Sequence, residues 1–160
     1  LTNIARDVGE DAAEGRIYLP TNWLDDAGLT PDRFFKDPKA SRAIKIMVRR
    51  LVVDANRLYA KGHAGVSALP FAARPGISAA GLIYAGIGKE VQRLNYDSVR
   101  ARAHTTKAQK LGWLMQAGLR AAGSVVLPRS PMFYGQPVPE TRFLVEAVAG
   151  KAAVESTWCV

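Results

Sequence analysis

The chain of 160 residues has a single cysteine, Cys159, which excludes an internal disulfide and leaves no partner thiol at zinc-ligand spacing. Nor does it contain an uninterrupted apolar run of about 18 residues, the length needed to span a bilayer as a helix. No charged segment leads into a short apolar one in the manner of a signal peptide, so cytoplasmic residence is the expectation. Also lacking are a glycine-rich nucleotide loop, an internal repeat, and a nucleophile, base and orienting group at readable spacing. Basic residues are in surplus, 22 Lys and Arg against 14 Asp and Glu for a net charge of +8, but they are scattered. Without a dense basic run the surplus argues against nucleic acid as a partner. It points instead to an anionic ligand such as a diphosphate, or to an anionic lipid surface.

What is there suffices for one domain with a core: 48% of residues are hydrophobic and 22% charged, which is not a disordered composition. The most informative stretch opens the chain. Wound on a helix at about 100° per residue, Asn3, Asp7, Glu10, Asp11 and Glu14 share one narrow polar arc, and Leu1, Ile4, Ala5, Val8 and Ala12 share the opposite side. Asn3, Asp7 and Asp11 stand at i, i+4 and i+8, about 6 Å apart along the axis at the helical rise. Like charges at i and i+4 repel by a few tenths of a kcal/mol, so this ladder needs a compensating cation. Magnesium suits it, since it takes one or two carboxylates and fills its other positions with water and phosphate oxygens. Arg6, beside the arc, can pair with Glu10 at i+4 or reach a phosphate. The alternative is the solvated face of an amphipathic helix, and periodicity alone does not choose between them.

Downstream, the helix pattern fades at Gly15, and Arg16 to Pro20 reads as an extended connection carrying Tyr18. Thr21 caps a short helix that Gly28 ends, and Thr30-Pro31-Asp32 is a second start signal. A long helix is expected from Ser41 to about Leu69, with an apolar stripe through Ile44, Val48, Leu51 and Ala55. Its His63 has no second ligand nearby and reads as a packed or surface residue. Pro70 and Pro75-Gly76 separate it from a helix over Ile77 to about Tyr96. The small residues of that helix permit close approach by a neighbouring helix or by a long apolar ligand. Thr105 or Thr106 caps a further helix from Lys107 to Gly123, whose apolar side is Leu111, Leu114, Met115 and Leu119. Residues 124–160 form a proline-containing tail with a weak helix from Glu140 to Ala152, whose Phe143, Leu144, Ala147 and Val148 suit docking on the domain or contact with a membrane surface. The fold class is all-α.

The run LTNIARDVGEDAAEGRIYLP resembles the second aspartate-rich motif of the squalene and phytoene synthase family, and GLIYAGIGKEVQRLNYDSV is similar to a later helix of that family. The resemblance implies a class I isoprenoid synthase fold, a helical bundle of which residues 1–123 are the later portion. It implies that Asn3, Asp7 and Asp11 hold Mg²⁺, with Mn²⁺ as a substitute, against a prenyl diphosphate. Arg6 and Glu10 match the motif's Arg and Glu. Tyr18 and Tyr84 match tyrosines that lie beside the reacting centre or face the cavity. After Asn95-Tyr96 the family usually carries two adjacent basic residues, one of which helps hold diphosphate; here Ala101 interrupts the pair, so Arg102 is the candidate and Arg100 the fallback. Lys107 and Lys110 stand where relatives commonly carry an Arg and Lys cluster. The implied reaction is head-to-head condensation of two prenyl diphosphates, geranylgeranyl in phytoene synthesis or farnesyl in squalene, hydroxysqualene or dehydrosqualene synthesis. An assembly factor of the family without chemistry is the alternative outside enzymology. Family members are longer and carry an earlier aspartate-rich motif, so these residues alone are expected to be inactive.

Overall fold

Local signals set most of the helix starts. The computed structural model describes residues 1–126, 139, 142–144, 146 and 147. The chain divides into two units, Leu1–Arg129 and Ser130–Val160. Among the described residues the first unit is all helix and connection, with no strand, as the pattern requires.

The acid stretch is not one helix but two, α1 (Thr2–Arg6) and α2 (Val8–Ala13), with the break at Asp7, whose φ of −102° and ψ of 15° leave the helical range. The cause lies far along the chain. The Gly9 amide donates to the carbonyl of Ser98 at 2.9 Å instead of to its own helix, and a Cβ at Gly9 would stand 2.3 Å from the Val99 carbonyl oxygen. Only glycine admits that backbone. The spacing of the ladder nevertheless survives, because the Asp7 amide donates to the Asn3 carbonyl at 2.9 Å and the Asp11 amide to that of Asp7 at 2.8 Å.

Two short helices follow, α3 (Thr21–Asp26) and α4 (Pro31–Lys36). Thr21 does not cap α3; it is the first helical residue, with Pro20 in the cap position and no side-chain cap bond. Gly28, at φ +65°, ends the piece as expected, and its left-handed backbone lets the Leu29 amide return to the Leu24 carbonyl. Thr30 does cap α4, its Oγ1 accepting from the Arg33 amide. Ser41 likewise caps α5 (Arg42–Gly65), accepting from the Ile44 amide. Beyond α5 the chain tightens into a 3₁₀ turn over Val66–Ala68 and another over Phe71–Ala73. Helix α6 (Arg74–Arg93) begins earlier than expected, since Pro75 sits in its first turn, where a missing amide costs nothing. It also ends earlier. Asn95 and Tyr96 have positive φ, 53° and 58°, and turn the chain back.

Helix α6 is the hub, packing on α1, α5 and α7 (Lys107–Val126). Its small residues pack against neighbouring helices and also line a cleft. A Cβ at Gly86 would lie 2.2 Å from the Trp113 ring of α7, and one at Gly88 would touch Val52 of α5, whereas Ala79 and Ala80 line a cleft. The core gathers Ala5, Val8 and Ala12 of the acid helices with Leu24, Phe34, Ile44, Val48 and Val91. Full burial of a Leu, Ile or Val is worth about 1.5–3 kcal/mol, so the apolar side of the acid stretch anchors it firmly.

Helix α7 departs from expectation in two ways. It continues to Val126, past Gly123. Its buried side is Ala117 and Ala121 with the half-buried Trp113, while Leu111, Leu114, Met115 and Leu119 are all at least half exposed. At the contact with α6 it is the Trp113 ring that lies over Gly86. In the second unit, residues 142–144, 146 and 147 are helical, and Phe143 and Leu144 are exposed. The remainder of the expected helix from Glu140 to Ala152, Val148 included, lies outside the described residues. No helix among the described residues is long and apolar enough to cross a membrane.

Candidate active site

The site is assembled from α1, α2, the middle of α6, the start of α7 and the coil over residues 101–106. A partly buried hydrogen bond of 2.7 Å between Thr2 Oγ1 and the Tyr59 hydroxyl ties α1 to α5, and Ala5 and Val8 seat the acid stretch on the core. Its polar arc is thereby turned outward. The coil is brought to it by the left-handed turn at Asn95 and Tyr96 and by the Gly9–Ser98 contact. At the α7 end, Thr106 is the cap. Its Oγ1 accepts from the Gln109 amide at 3.1 Å and its own amide donates to Gln109 Oε1 at 2.7 Å, a reciprocal capping box.

These elements enclose a cleft of about 750 Å³, lined among others by Asn3, Arg6, Tyr84, Arg102 and Lys110, with Ala79, Ala80, Ile83 and Ile87 forming its apolar wall. Of the residues singled out from the sequence for a site role, the structure thus brings five together: Asn3, Arg6, Tyr84, Arg102 and Lys110. Asp7 sits behind them and is reached through both arginines. Arg6 Nε and Nη2 donate to its Oδ1 and Oδ2, each at 2.7 Å, a bidentate fork. Arg102 Nε donates to Oδ1 at 3.0 Å, and its Nη1 and Nη2 lie 3.4 and 3.2 Å from the Glu10 carboxylate. The expected Arg6–Glu10 pairing at i+4 therefore gives way. Adjacent side chains do not meet on a regular helix, but the break at Asp7 sets Arg6 against its neighbour and leaves Glu10 to Arg102.

Asp11 and Tyr18 stand apart from the cleft. Asp11 lies 3.6 Å from Arg16 Nη2, which also pairs with Glu14. Tyr18, 54% exposed, borders a small crevice with Ile4, Asp11 and Arg16, so its ring is beside the last rung of the ladder rather than in the cleft. Arg100 is exposed and its amide donates to Asp97 Oδ1; the chain presents Arg102 to the acids and turns Arg100 away. Lys107 does not line the cleft, whereas Lys110 does, with His104 and Thr105. From the sequence neither of those last two takes a site role, Thr105 being named only as one of two cap candidates. Their signal was available in the Thr106–Gln109 box, which fixes the first turn of α7 and so the residues flanking it.

The electrostatics follow from this geometry. The Arg6 hydrogen bond is the main influence holding the Asp7 carboxyl below the usual carboxylate range, with Arg102 adding to it and burial opposing. Reciprocally, Asp7 raises Arg6. Asp7 is accordingly an anion at any neutral pH. The backbones of Asn3, Asp7 and Asp11 are joined by successive hydrogen bonds, and their side chains carry one amide and two carboxylate groups, Asn3 at the cleft and Asp11 at the neighbouring crevice. That donor set is all hard oxygen and suits Mg²⁺.

Comparison with known proteins adds a separate finding. The squalene/phytoene synthase family model matches residues 1–109. The chain is 46% identical over 149 residues to a phytoene synthase of Rhodobacter capsulatus, covering 93% of this chain and 44% of that protein. It is 50% identical over 149 residues to a phytoene synthase of Cereibacter sphaeroides, covering 93% and 42%. A 15-cis-phytoene synthase of Enterobacter agglomerans is 38% identical over 141 residues, covering 86% and 48%. The chain spans less than half the length of these relatives. No solved structure matches it.

Proposed function

Because the chain belongs to the squalene/phytoene synthase family, we propose that the protein carrying it condenses two geranylgeranyl diphosphates head to head, through a cyclopropylcarbinyl diphosphate, to phytoene. The observation that carries this reading is the meeting of polar and apolar groups in one cleft, lined by Asn3, Arg6 and Arg102 together with Ala79, Ala80, Ile83 and Tyr84. A prenyl diphosphate has the same two ends. The choice of the C20 substrate over the C15 one follows the phytoene synthases that the chain resembles.

The metal would be held by Asn3, Asp7 and Asp11. Once bound, Mg²⁺ supplies charge neutralisation for the departing diphosphate. The rest of the work falls to the chain's own residues. Arg6, forked onto Asp7, fixes the orientation of that carboxylate and keeps it ionised. Arg102 and Lys110 line the cleft with cationic groups to which diphosphate oxygens can bind. Arg102 presents a planar fork suited to bidentate contact; Lys110, on the rigid first turn of α7, is a point charge. Tyr84 stands where this polar region passes into an apolar groove between α5 and α6, lined by Leu58, Ile77 and Gly81. Its ring and the small residues of α6 keep water from the carbocation that forms when the diphosphate leaves. Tyr18, next to Asp11, guards the outer edge of the ladder. The exposed Phe143 and Leu144 of the second unit suit a peripheral membrane contact.

The test is product analysis. The intact protein, supplied with geranylgeranyl diphosphate and Mg²⁺, is expected to yield a C40 hydrocarbon. A C30 product from farnesyl diphosphate and none from geranylgeranyl diphosphate would overturn the substrate assignment.

A further inference from the structure

The oxygens of Asp7 are already in use. A carboxylate oxygen has two lone-pair directions, and both on Oδ1 are taken, one by Arg6 Nε at 2.7 Å and one by Arg102 Nε at 3.0 Å. A divalent ion of magnesium size sits about 2.0–2.1 Å from its oxygen ligands, so a cation approaching Oδ1 requires one of these guanidiniums to withdraw. The two are not equally held. Arg6 makes two short bonds to Asp7 and its side chain is 20% exposed, whereas Arg102 makes one longer bond to Asp7 and is 42% exposed. Arg102 also belongs to the coil between α6 and α7, not to a helix. Its remaining contacts, at 3.2 and 3.4 Å to Glu10, keep it at the site when the Asp7 bond is lost.

Resting on the metal reading above, we propose that Arg102 and a divalent cation compete for Asp7 Oδ1, so that metal loading transfers the Arg102 guanidinium from the carboxylate to the diphosphate in the cleft. Glu10 is the pivot of that transfer. Its carboxylate retains the side chain while Nε is released, and the same side chain lines the cleft wall. The arrangement couples the two ligands. Metal makes Arg102 available to the diphosphate, and the diphosphate, by drawing Arg102 away, makes Asp7 available to the metal; the coupling is necessarily reciprocal. Arg102 is thus a positioning residue for metal entry before it is a ligand for substrate.

The experiment measures Mn²⁺ affinity of the intact protein by electron paramagnetic resonance, with and without inorganic pyrophosphate, for wild type and Arg102→Gln. Without pyrophosphate the variant is expected to bind Mn²⁺ more tightly than wild type, by about two- to fivefold, the factor associated with a partly exposed ion pair. The gain that pyrophosphate brings is expected to be smaller in the variant. Equal or weaker Mn²⁺ binding by Arg102→Gln, in protein of unchanged circular dichroism, overturns the competition while leaving the metal site standing. Absence of Mn²⁺ binding in both proteins overturns the metal reading and the competition together. A second measurement needs no stable glutamine variant. The Nε–Hε resonance of Arg102 in wild type, located by its loss in Arg102→Lys, should move when Mg²⁺ is added, and an unmoved resonance under conditions where Mg²⁺ binds contradicts the transfer.

Discussion

Replacing Gly9 by alanine tests how the distant coil is held to the acid helices. The added methyl would stand 2.3 Å from the Val99 carbonyl oxygen and 2.9 Å from its carbonyl carbon and Cα. All three atoms are backbone, so no side-chain rotation relieves the clash. Carbon atoms in contact prefer about 3.5–4.0 Å, and restoring even a tight contact requires the segment to retreat by about 1 Å. Two links then fail. The Gly9 amide loses the Ser98 carbonyl, now at 2.9 Å, and Arg102, three residues beyond Val99, is drawn off Asp7 Oδ1, now at 3.0 Å. Overpacking costs about 1–3 kcal/mol, against which alanine recovers at most about 1 kcal/mol of helix propensity. The expected net loss of about 1–2 kcal/mol corresponds to a fall in Tm of roughly 2–8 °C for a chain of this size. Thermal unfolding followed by far-ultraviolet circular dichroism reads it directly. Gly118→Ala is the control: it lies inside α7 with nothing within 4 Å of its added Cβ, and should stabilise by about 0.5–1 kcal/mol. A Gly9→Ala protein as stable as wild type would refute the close approach and with it the account of how Arg102 is positioned.

Gly86→Ala should also destabilise by about 1–3 kcal/mol, because its Cβ would meet the Trp113 ring at 2.2 Å. Urea denaturation of Gly86→Ala with Trp113→Leu should recover part of that loss, and strict additivity would contradict the packing assigned to α6 and α7. Ser98→Ala should be neutral or stabilising by up to about 1 kcal/mol, since Ser98 Oγ is buried without a hydrogen-bond partner among the described residues; a clear loss in the same assay would reveal a partner. The lowered carboxyl of Asp7 contributes stability that is fully present above its unfolded pKa of about 4 and is lost as pH falls through its depressed folded value. Acid unfolding of Asp7→Asn should therefore show a shallower pH dependence below about pH 4 than wild type, and an identical profile would remove Asp7 from the linkage.

Local chemistry made much of this molecule legible. Thr30-Pro31-Asp32, Ser41 and Gly28 mark element ends because each acts on backbone groups within three or four residues, and each behaves so in the structure. The acid ladder was readable for the same reason, its rungs being joined by i to i+4 hydrogen bonds. What sequence could not supply were consequences of contacts between distant positions. The break at Asp7 depends on Ser98 and Val99, and the pairing of Arg102 with Asp7 and Glu10 crosses more than 90 residues. The left-handed pair at Asn95 and Tyr96 has no glycine to announce it. On α7 the leucine stripe outweighed the small-residue face by hydropathy, yet Ala117 and Ala121 are the buried residues and Trp113 is the one that lies over Gly86 of α6.

The claim at the centre of this account is that the carboxylates of Asp7 and Asp11 hold the cation against which a prenyl diphosphate ionises. Pyrophosphate release from geranylgeranyl diphosphate by the intact protein at saturating Mg²⁺ measures that step. Asp7→Asn and Asp11→Asn preserve the shape of each rung while removing its charge. Each is predicted to lower the rate by at least about a hundredfold, the scale on which loss of one preorganised charge-stabilising group is felt. Release at the wild-type rate from either variant would contradict the account.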